Sequence, residues 1–543
     1  MRHRPLVAAL CIVCTSFITF AQGGRRGTQN TQPGAQPPGA TQNAGRGGRG
    51  AETPAASTGA LDFYNFDPAA SAAPSIPDAP PIETHQKITI NGQPLAYAAR
   101  AGYLPLHNAT TGQSEAHIFY TSYAREGVTD TTRRPLVFFV GGAPGVAAAW
   151  QDLGGLGPKR LKISDDGAAA YGWADNPSTL LSAADLVFVN PVGTAYSRPD
   201  RPDRAPAFFN TAADTASLGE FVRSYINRYD RRTSPLFLAG EDFATGRAAG
   251  LAAYLLEHDL PVQGVVLLSA TLSADSQAGD AQYITLLPSL IMAAWHHQKL
   301  TPELNRMSSE QIAGQARQFA SREYLRTLYK GDRMTTAERD KAITGLSRLT
   351  GLSKPFLVSN DLRVTLDRFK SELLREQQHG LANSDSRVTG FVPPSSGGRG
   401  GRGFVPIVIN PVDFNLSKIS GGFLTSYEDY LHRELTFNGP QNGIFYLMSG
   451  GVTGYTSTGN DEQALANAFA RQPNLRLFVG VNYFDLNAPF YATEFTLAHL
   501  NVSPEVRAHN ITVSHLDAGA MPYLDSKALV KLHGDLASFV APK

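Results

Sequence analysis

Two neighbouring acidic residues, Glu241 and Asp242, lie where an apolar segment gives way to a helical pattern. Leu236–Ala239 is predicted as a buried strand, the helix is predicted from Thr245, and small residues stand two positions before and after Asp242. A carboxylate on such a tight turn can project above the sheet and attack an electrophilic substrate. Two adjacent carboxylates repel each other, so we expect at least one raised pKa if both are enclosed.

A base that could assist this carboxylate would have to be a histidine from elsewhere in the chain. His515 is predicted within a strand and His533 on the C-terminal helix, where both fit ordinary structural roles. His296 and His297 are adjacent, and one of them could point toward a cleft. Adjacent residues on a helix face different directions, which makes this pair a poor metal site. With no phosphate-binding glycine loop, no zinc-protease motif and no paired cysteines for zinc, the sequence implies no cofactor and no metal.

The elements that must position these residues alternate between strands and helices. Strands are predicted at Lys87–Ile90, Ala116–Tyr123, Leu136–Val140, Asp185–Val189, Leu236–Ala239, Val262–Leu268, Leu475–Val479 and Ile511–Leu516. Helices are predicted at Ala213–Tyr229, Thr245–Glu257 and Ser526–Phe539. This alternation is typical of an α/β fold with a mostly parallel sheet flanked by helices. Between residues 270 and 450 helical patterns dominate, which predicts an inserted cap.

Five separated segments of the chain resemble the serine carboxypeptidase family, in particular its bacterial branch. In order they are Leu136–Arg160 (LVFFVGGAPGVAAAWQDLGGLGPKR), Asn176–Arg198, Phe237–Gly250, Gly351–Gly390 and Tyr483–Leu500. The resemblance extends from about Thr84 to Phe539. It implies an α/β-hydrolase fold with a helical cap insertion.

The same resemblance implies where the catalytic triad would lie, and two of its three positions have changed. Asp242 stands where the family has its nucleophilic serine, and Ala520 stands where it has the histidine base. Asp485 matches the carboxylate that orients this histidine. Without an imidazole, nothing at that place accepts the proton of the nucleophile or returns it to the leaving amine.

The binding positions implied by the resemblance are partly kept. The oxyanion hole would use the backbone N–H groups of Ala143 and Phe243, which a side-chain change need not remove. Gly141 stands where the family has an asparagine that holds the carboxylate of the substrate. Glu241 matches a family glutamate that shares a hydrogen bond with that carboxylate.

Three functions remain open at this point. The first is a catalytically inactive serine carboxypeptidase homologue whose cleft still binds peptide or protein C-termini. The second is a hydrolase in which Asp242 attacks a small electrophilic substrate and a distant histidine replaces Ala520. The third is a serine-type carboxypeptidase with residual or rerouted activity. The first is favoured, because triad residues act as a unit and losing one typically lowers turnover by ~10^4 to 10^6.

Composition limits the classes of partner. The 543 residues carry 48 Lys and Arg against 47 Asp and Glu, a net charge of +1, so nucleic-acid binding driven by excess basic charge is not expected. Charged residues make up only 17% and hydrophobic residues 42%, which favours a folded chain with a large core. The sequence does not indicate an oligomeric state.

The N-terminal region predicts export. Residues 1–21 have the basic start, apolar stretch and small-residue end of a signal peptide. Residues 22–83, rich in Gly, Pro and Gln, are predicted to form a flexible linker. Residues 84–543 are predicted to form a domain similar to serine carboxypeptidases, with a cap at roughly 270–450 and a Gly/Arg-rich loop at 395–404. Cys11 and Cys14 both lie in the signal, so the mature chain would have no disulfide. We expect a secreted or periplasmic protein with no membrane span after cleavage.

Overall fold

A ten-stranded mixed sheet organises the part of the chain that the computed structural model describes. The description covers residues 76 and 79–542, except 165–166, 273–275, 277, 393–412, 440–444, 446, 448–451, 453 and 460. The predicted signal peptide, all but the last residues of the predicted linker and the Gly/Arg-rich loop lie outside the described residues. The described residues belong to one compact unit, Ala60–Lys543.

The strands are β1 (Ile82–Ile90), β2 (Gln93–His107), β3 (Ser114–Arg125), β4 (Leu136–Val140), β5 (Lys159–Ile163), β6 (Ala169–Asp175), β7 (Asp185–Val189), β8 (Arg198–Pro199), β9 (Leu236–Glu241), β10 (Gly264–Leu268), β11 (His379–Leu381), β12 (Thr389–Phe391), β13 (Arg476–Asn482) and β14 (Ile511–Leu516). The main sheet has the order β1-β2-β3-β7-β4-β9-β10-β13-β14, with β8 paired to β3. The first three pairings are antiparallel, and the five from β7 to β14 are parallel. The pairs β5-β6 and β11-β12 form separate two-stranded sheets.

Both faces of the central strands are buried, as their apolar sequences predict. In β4, Leu136, Phe138 and Val140 belong to one hydrophobic core, and Val137 and Phe139 belong to a second. Because successive side chains of a strand point to opposite faces, the sheet lies between two cores. β9 runs between β4 and β10 in the middle of this sheet, and its last residue is Glu241.

Helices cover the two faces. They are α1 (Ala149–Gln151, continued by a π turn at Asp152–Leu156), α2 (Thr211–Arg228), α3 (Ala244–Glu257), α4 (Ala281–His296), α5 (Pro302–Asn305), α6 (Ser309–Phe319), α7 (Leu325–Lys330), α8 (Thr336–Thr350), α9 (Lys354–Ser359), α10 (Leu366–Glu372), α11 (Phe414–Arg433), α12 (Asp461–Arg471), α13 (Phe490–His499), α14 (Pro504–His509) and α15 (Ser526–Val540). No helix of the described ranges is both long enough and apolar enough to cross a membrane.

The architecture confirms the predicted α/β-hydrolase fold, a mostly parallel sheet between helices with a helical insertion. Helices α4 to α11 all lie between β10 and β13 in the chain. Three predicted strands, Leu136–Val140, Asp185–Val189 and Ile511–Leu516, have the observed bounds. The fifteen-residue strand β2 was not predicted, because its sequence QPLAYAARAGYLPLH is rich in alanine and contains glycine and proline. Pairing with β1 on one side and β3 on the other overrides these weak preferences.

Candidate functional site

The site begins at a sharp turn between β9 and α3. Asp242 has φ 53, a left-handed conformation that side chains other than glycine seldom adopt. Its N–H donates to the carbonyl of Leu268 at 2.9 Å, and its own carbonyl accepts from the N–H and the hydroxyl of Thr245 at 3.0 and 2.6 Å. A Cβ at Gly240 would lie 2.0 Å from the carbonyl oxygen of Ala244, so only glycine fits there. The turn therefore holds Asp242 at the end of the strand, as the sequence predicts.

A small pocket of about 120 Å³ opens above this turn. Its lining residues come from six parts of the chain: Gly142, Ala143, Val146, Trp150, Gln151, Glu241, Asp242, Ser384, Leu416, Asn487, Ala520, Met521 and Tyr523. Asp242 is exposed to solvent and lines this pocket. Desolvation by the neighbouring protein raises the pKa of Asp242, and the backbone N–H of Phe243 partly opposes the shift by bonding to the carboxylate.

Glu241 lies beside Asp242 but is buried. One of its carboxyl oxygens, Oε2, accepts hydrogen bonds from the amide of Gln151 and from the hydroxyl of Tyr523 at 2.8 Å. The other oxygen, Oε1, is buried and has no hydrogen-bond partner. The pKa of Glu241 is raised to about 8: burial is the main cause, the charges of Asp242 and Asp485 add to it, and the two hydrogen bonds oppose it. Glu241 is therefore protonated at neutral pH, in agreement with the raised pKa expected for this pair.

Asp485 follows β13 and has no exposed surface. Its Oδ1 accepts from the backbone N–H groups of Asn487 and Ala488 at 2.9 and 3.1 Å, while Oδ2 is buried without a partner. Burial raises its pKa to about 8, and the charge of Asp242 adds to the effect. Ala520 lines the same pocket as Asp242, and its N–H donates to the carbonyl of Ser384 at 2.6 Å.

The loop that follows β4 supplies one wall of the pocket. Ala143 lines the pocket, and its carbonyl accepts from the N–H of Val146 at 2.7 Å. A Cβ at Gly141 would lie 2.9 Å from the carbonyl oxygen of Val146 and 3.0 Å from the ring of Pro191. The loop thus leaves no room for a side chain at the position where the resemblance implies an asparagine. Gly141 itself offers no side chain to a ligand.

A buried ion pair supports this loop from below. The guanidinium of Arg247 bonds to the carboxylate of Asp214 at 2.7 Å, and its Nη1 donates to the carbonyls of Gly141 and Gly142. Tyr455 donates a further hydrogen bond to the same carboxylate oxygen at 2.9 Å. The pair joins α2, α3 and the loop, so it fixes the shape of the pocket. It also engages the Nε and Nη1 donors of Arg247.

The histidines considered in the sequence lie elsewhere. His515 contacts Glu494 at 2.6 Å, and His533 contacts Ser182 at 3.1 Å. His297 contacts the carbonyl of Ser386 at 2.7 Å, and burial lowers the pKa of His296 to about 4. Within the described part of the chain, no histidine lines the pocket around Asp242. No cluster of three or more metal-binding side chains is found in the same residues.

Three pocket residues were not anticipated from the sequence. Gln151 and Tyr523 hold Glu241, and Trp150 adds an apolar wall. They come from α1 and from the turn before α15, far from Glu241 in the chain. No local pattern marks them, because their role depends on tertiary contacts alone.

Known structures are similar to this chain at low sequence identity. No protein-family model matches the sequence, and no curated protein matches it either. The chain is similar to Kex1(delta)p, a prohormone-processing carboxypeptidase from Saccharomyces cerevisiae, at 14% identity over 81% of this chain and 91% of that chain, with a TM-score of 0.48. It is also similar to the juvenile hormone epoxide hydrolase from the silkworm Bombyx mori (12% identity, 81% and 78% covered, TM-score 0.29). A third similar structure is the peroxisomal alpha-beta-hydrolase Lpx1 from Saccharomyces cerevisiae (8% identity, 82% and 90% covered, TM-score 0.31).

Proposed function

We propose that this chain is an exported α/β-hydrolase-fold protein that has lost the serine carboxypeptidase reaction and retains its pocket for binding. One observation carries the proposal: the pocket residues that the structure describes include no histidine, lysine or arginine beside Asp242. Acyl transfer needs a group that takes a proton from the nucleophile and returns it to the leaving group. The pocket contains carboxyl groups instead.

The carboxyl groups do not replace the missing base. Asp485 has no exposed surface, and Glu241 is buried in the pocket wall with one oxygen bonded to Gln151 and Tyr523. Both have a pKa of about 8, so both hold their protons at neutral pH and cannot accept another. Asp242 is the reactive group that remains.

Restoring the two changed triad positions tests this proposal. We expect the unmodified chain to give no turnover of N-blocked dipeptides, and the double variant Asp242→Ser, Ala520→His to give a measurable rate. Oδ2 of Asp485 has no hydrogen-bond partner, and an introduced imidazole that becomes protonated would favour the ionised form of this carboxyl group. A general base contributes roughly 10^2 to 10^4 in rate, so the double variant should exceed Asp242→Ser alone by a factor in that range. Equal rates for the double and single variants would count against the proposed origin of the inactivity.

A second candidate function uses Asp242 as a nucleophile toward an epoxide, and the left-handed turn that presents its carboxylate favours it. The carboxylate would open the ring, form an ester and leave an alkoxide that takes a proton from water. Hydrolysis of that ester normally needs a water activated by histidine, which the described pocket lacks. This candidate therefore predicts a stable adduct, visible as an increase in intact mass, and no turnover.

A further inference from the structure

The buried acidic residues of the chain fall into two groups that differ in their hydrogen-bond and ion-pair partners. Six acids of the described residues are buried: Asp152, Asp185, Asp214, Glu241, Asp385 and Asp485. Asp185, Asp214 and Asp385 each pair with arginine. Asp152 accepts hydrogen bonds from three hydroxyl groups. Glu241 and Asp485 are the exceptions, because each keeps one carboxyl oxygen without any partner.

The unpartnered groups of the pocket are mostly oxygens, which accept hydrogen bonds when Glu241 is ionised. Oε1 of Glu241 and Oε1 of Gln151 have no hydrogen-bond partner, and both residues are more than nine-tenths buried and line the pocket. The carboxylate of Asp242 lies beside them. One neutral donor, the indole N–H of Trp150, is also unpartnered. A buried polar atom without a partner is destabilising, so a ligand that supplies the missing donors is favoured on binding.

The charge of the pocket selects the sign of that ligand. A carboxylate would meet the charge of Asp242 with no counter-charge, since the described residues that line the pocket include no lysine, arginine or histidine. A cation would provide both the missing hydrogen-bond donors and the missing positive charge. The apolar surfaces of Trp150 and Tyr523 suit the alkyl part of such a ligand.

We propose that the pocket above Asp242 binds the protonated amine of a small organic ligand, with Asp242, Glu241 and Gln151 as its acceptors. The inference rests on the proposed function, because a pocket retained for binding needs a ligand, and it names that ligand's charged group. In this inference an ammonium group takes the place of the peptide carboxylate that the family resemblance implies as the ligand. The volume of about 120 Å³ limits the buried part of the ligand to a small group.

Binding of an ammonium group should depend on the protonation of Glu241. The groups that face Glu241 are Asp242 on the same turn, Asp485 after β13, and the hydroxyl of Tyr523, and none of them is basic. A bound ammonium group stabilises the ionised form of Glu241, whose pKa is about 8 in the free protein. Binding at pH 7 should therefore release protons, and affinity should rise as the pH increases toward 8.

The test compares three ligands of equal chain length, butylammonium, butyrate and butanol, by calorimetric titration of the unmodified protein at pH 7 and pH 8. For a ligand of five heavy atoms we expect butylammonium to bind with a Kd on the order of 1 mM. Butyrate and butanol should bind more weakly. The binding enthalpy should depend on the ionisation enthalpy of the buffer, which reports the released proton.

Variants connect this binding to the named residues. Asp242→Asn and Glu241→Gln should each weaken butylammonium binding by about tenfold, the typical effect of losing one charge-assisted hydrogen bond. Asp367→Asn removes the same charge from an exposed position on α10 and is the matched control, expected to bind as the unmodified protein does. Urea unfolding of each variant verifies that it is folded.

Three outcomes would overturn the inference: tighter binding of butyrate than of butylammonium, unchanged butylammonium binding in both pocket variants, or no binding of butylammonium at all. These results are separate from peptide turnover. An inactive protein that does not bind the cation would contradict only the ligand inference. A protein that hydrolyses peptides would contradict the proposed function.

Discussion

Replacing Arg247 with methionine is expected to destabilise the folded chain by roughly 3–5 kcal/mol, because it leaves the carboxylate of Asp214 buried without a counter-charge. The side chains of Arg247 and Asp214 are 3% and 5% exposed, so water cannot replace the lost partner. The carbonyls of Gly141 and Gly142 lose their donor as well. Urea unfolding followed by circular dichroism would measure the loss.

A surface ion pair provides the control for this variant. Arg339 contacts Asp361 at 2.8 Å, but the two side chains are 35% and 66% exposed. Arg339→Met should therefore change the free energy of unfolding by no more than about 1 kcal/mol. If Arg247→Met costs no more than Arg339→Met, the buried pair does not have the structural role assigned to it.

The carboxyl groups under the pocket should make stability fall as the pH rises. The pKa of Glu241 and that of Asp485 are each about 8 in the folded chain, well above the ordinary carboxyl value near 4. The folded chain therefore holds two protons that the unfolded chain releases between about pH 4 and pH 8. Stability is greatest below this window and is lost as the pH rises through 8, by up to about 1.4 kcal/mol per pH unit for each group.

Glu241→Gln should remove the contribution of Glu241, which is half of the pH dependence of stability that these two carboxyl groups cause. Glutamine keeps the size of the side chain and cannot ionise, so its stability advantage over the unmodified chain should grow steadily from pH 5 to pH 8. The difference in unfolding free energy at pH 5 is the reference value, because Glu241 is protonated in the folded chain at that pH. A difference in unfolding free energy that stays constant over this range would show that Glu241 does not hold a proton in the folded state.

Much of the sheet could be predicted from apolar runs alone. Leu136–Val140 and Asp185–Val189 are buried on both faces, and such strands appear in sequence as continuous β-branched and aromatic segments. β2 could not be found in this way, because its identity as a strand comes from its two neighbours. The hairpin β5-β6 was missed for a similar reason, since its two strands pair only with each other and are mostly half-exposed.

The position of a site residue could be predicted where it follows from the order of strands and helices in the chain. The strand–turn–helix pattern placed Asp242 at the end of β9, and the structure places Ala520 in the same pocket. The partners of Glu241 could not be foreseen, because Gln151 and Tyr523 lie 90 and 282 residues away from it. The closing of the loop over Gly141 likewise depends on Val146 and Pro191, whose contacts exist only in the folded chain.

The most direct test of the central claim is the rate at which the unmodified chain hydrolyses N-blocked dipeptides from acid to neutral pH, measured beside Asp242→Asn. Because the described pocket contains no group that can carry a proton between the nucleophile and the leaving amine, we predict that both proteins give only the rate of the uncatalysed reaction. Turnover by the unmodified chain that Asp242→Asn abolishes would contradict the account.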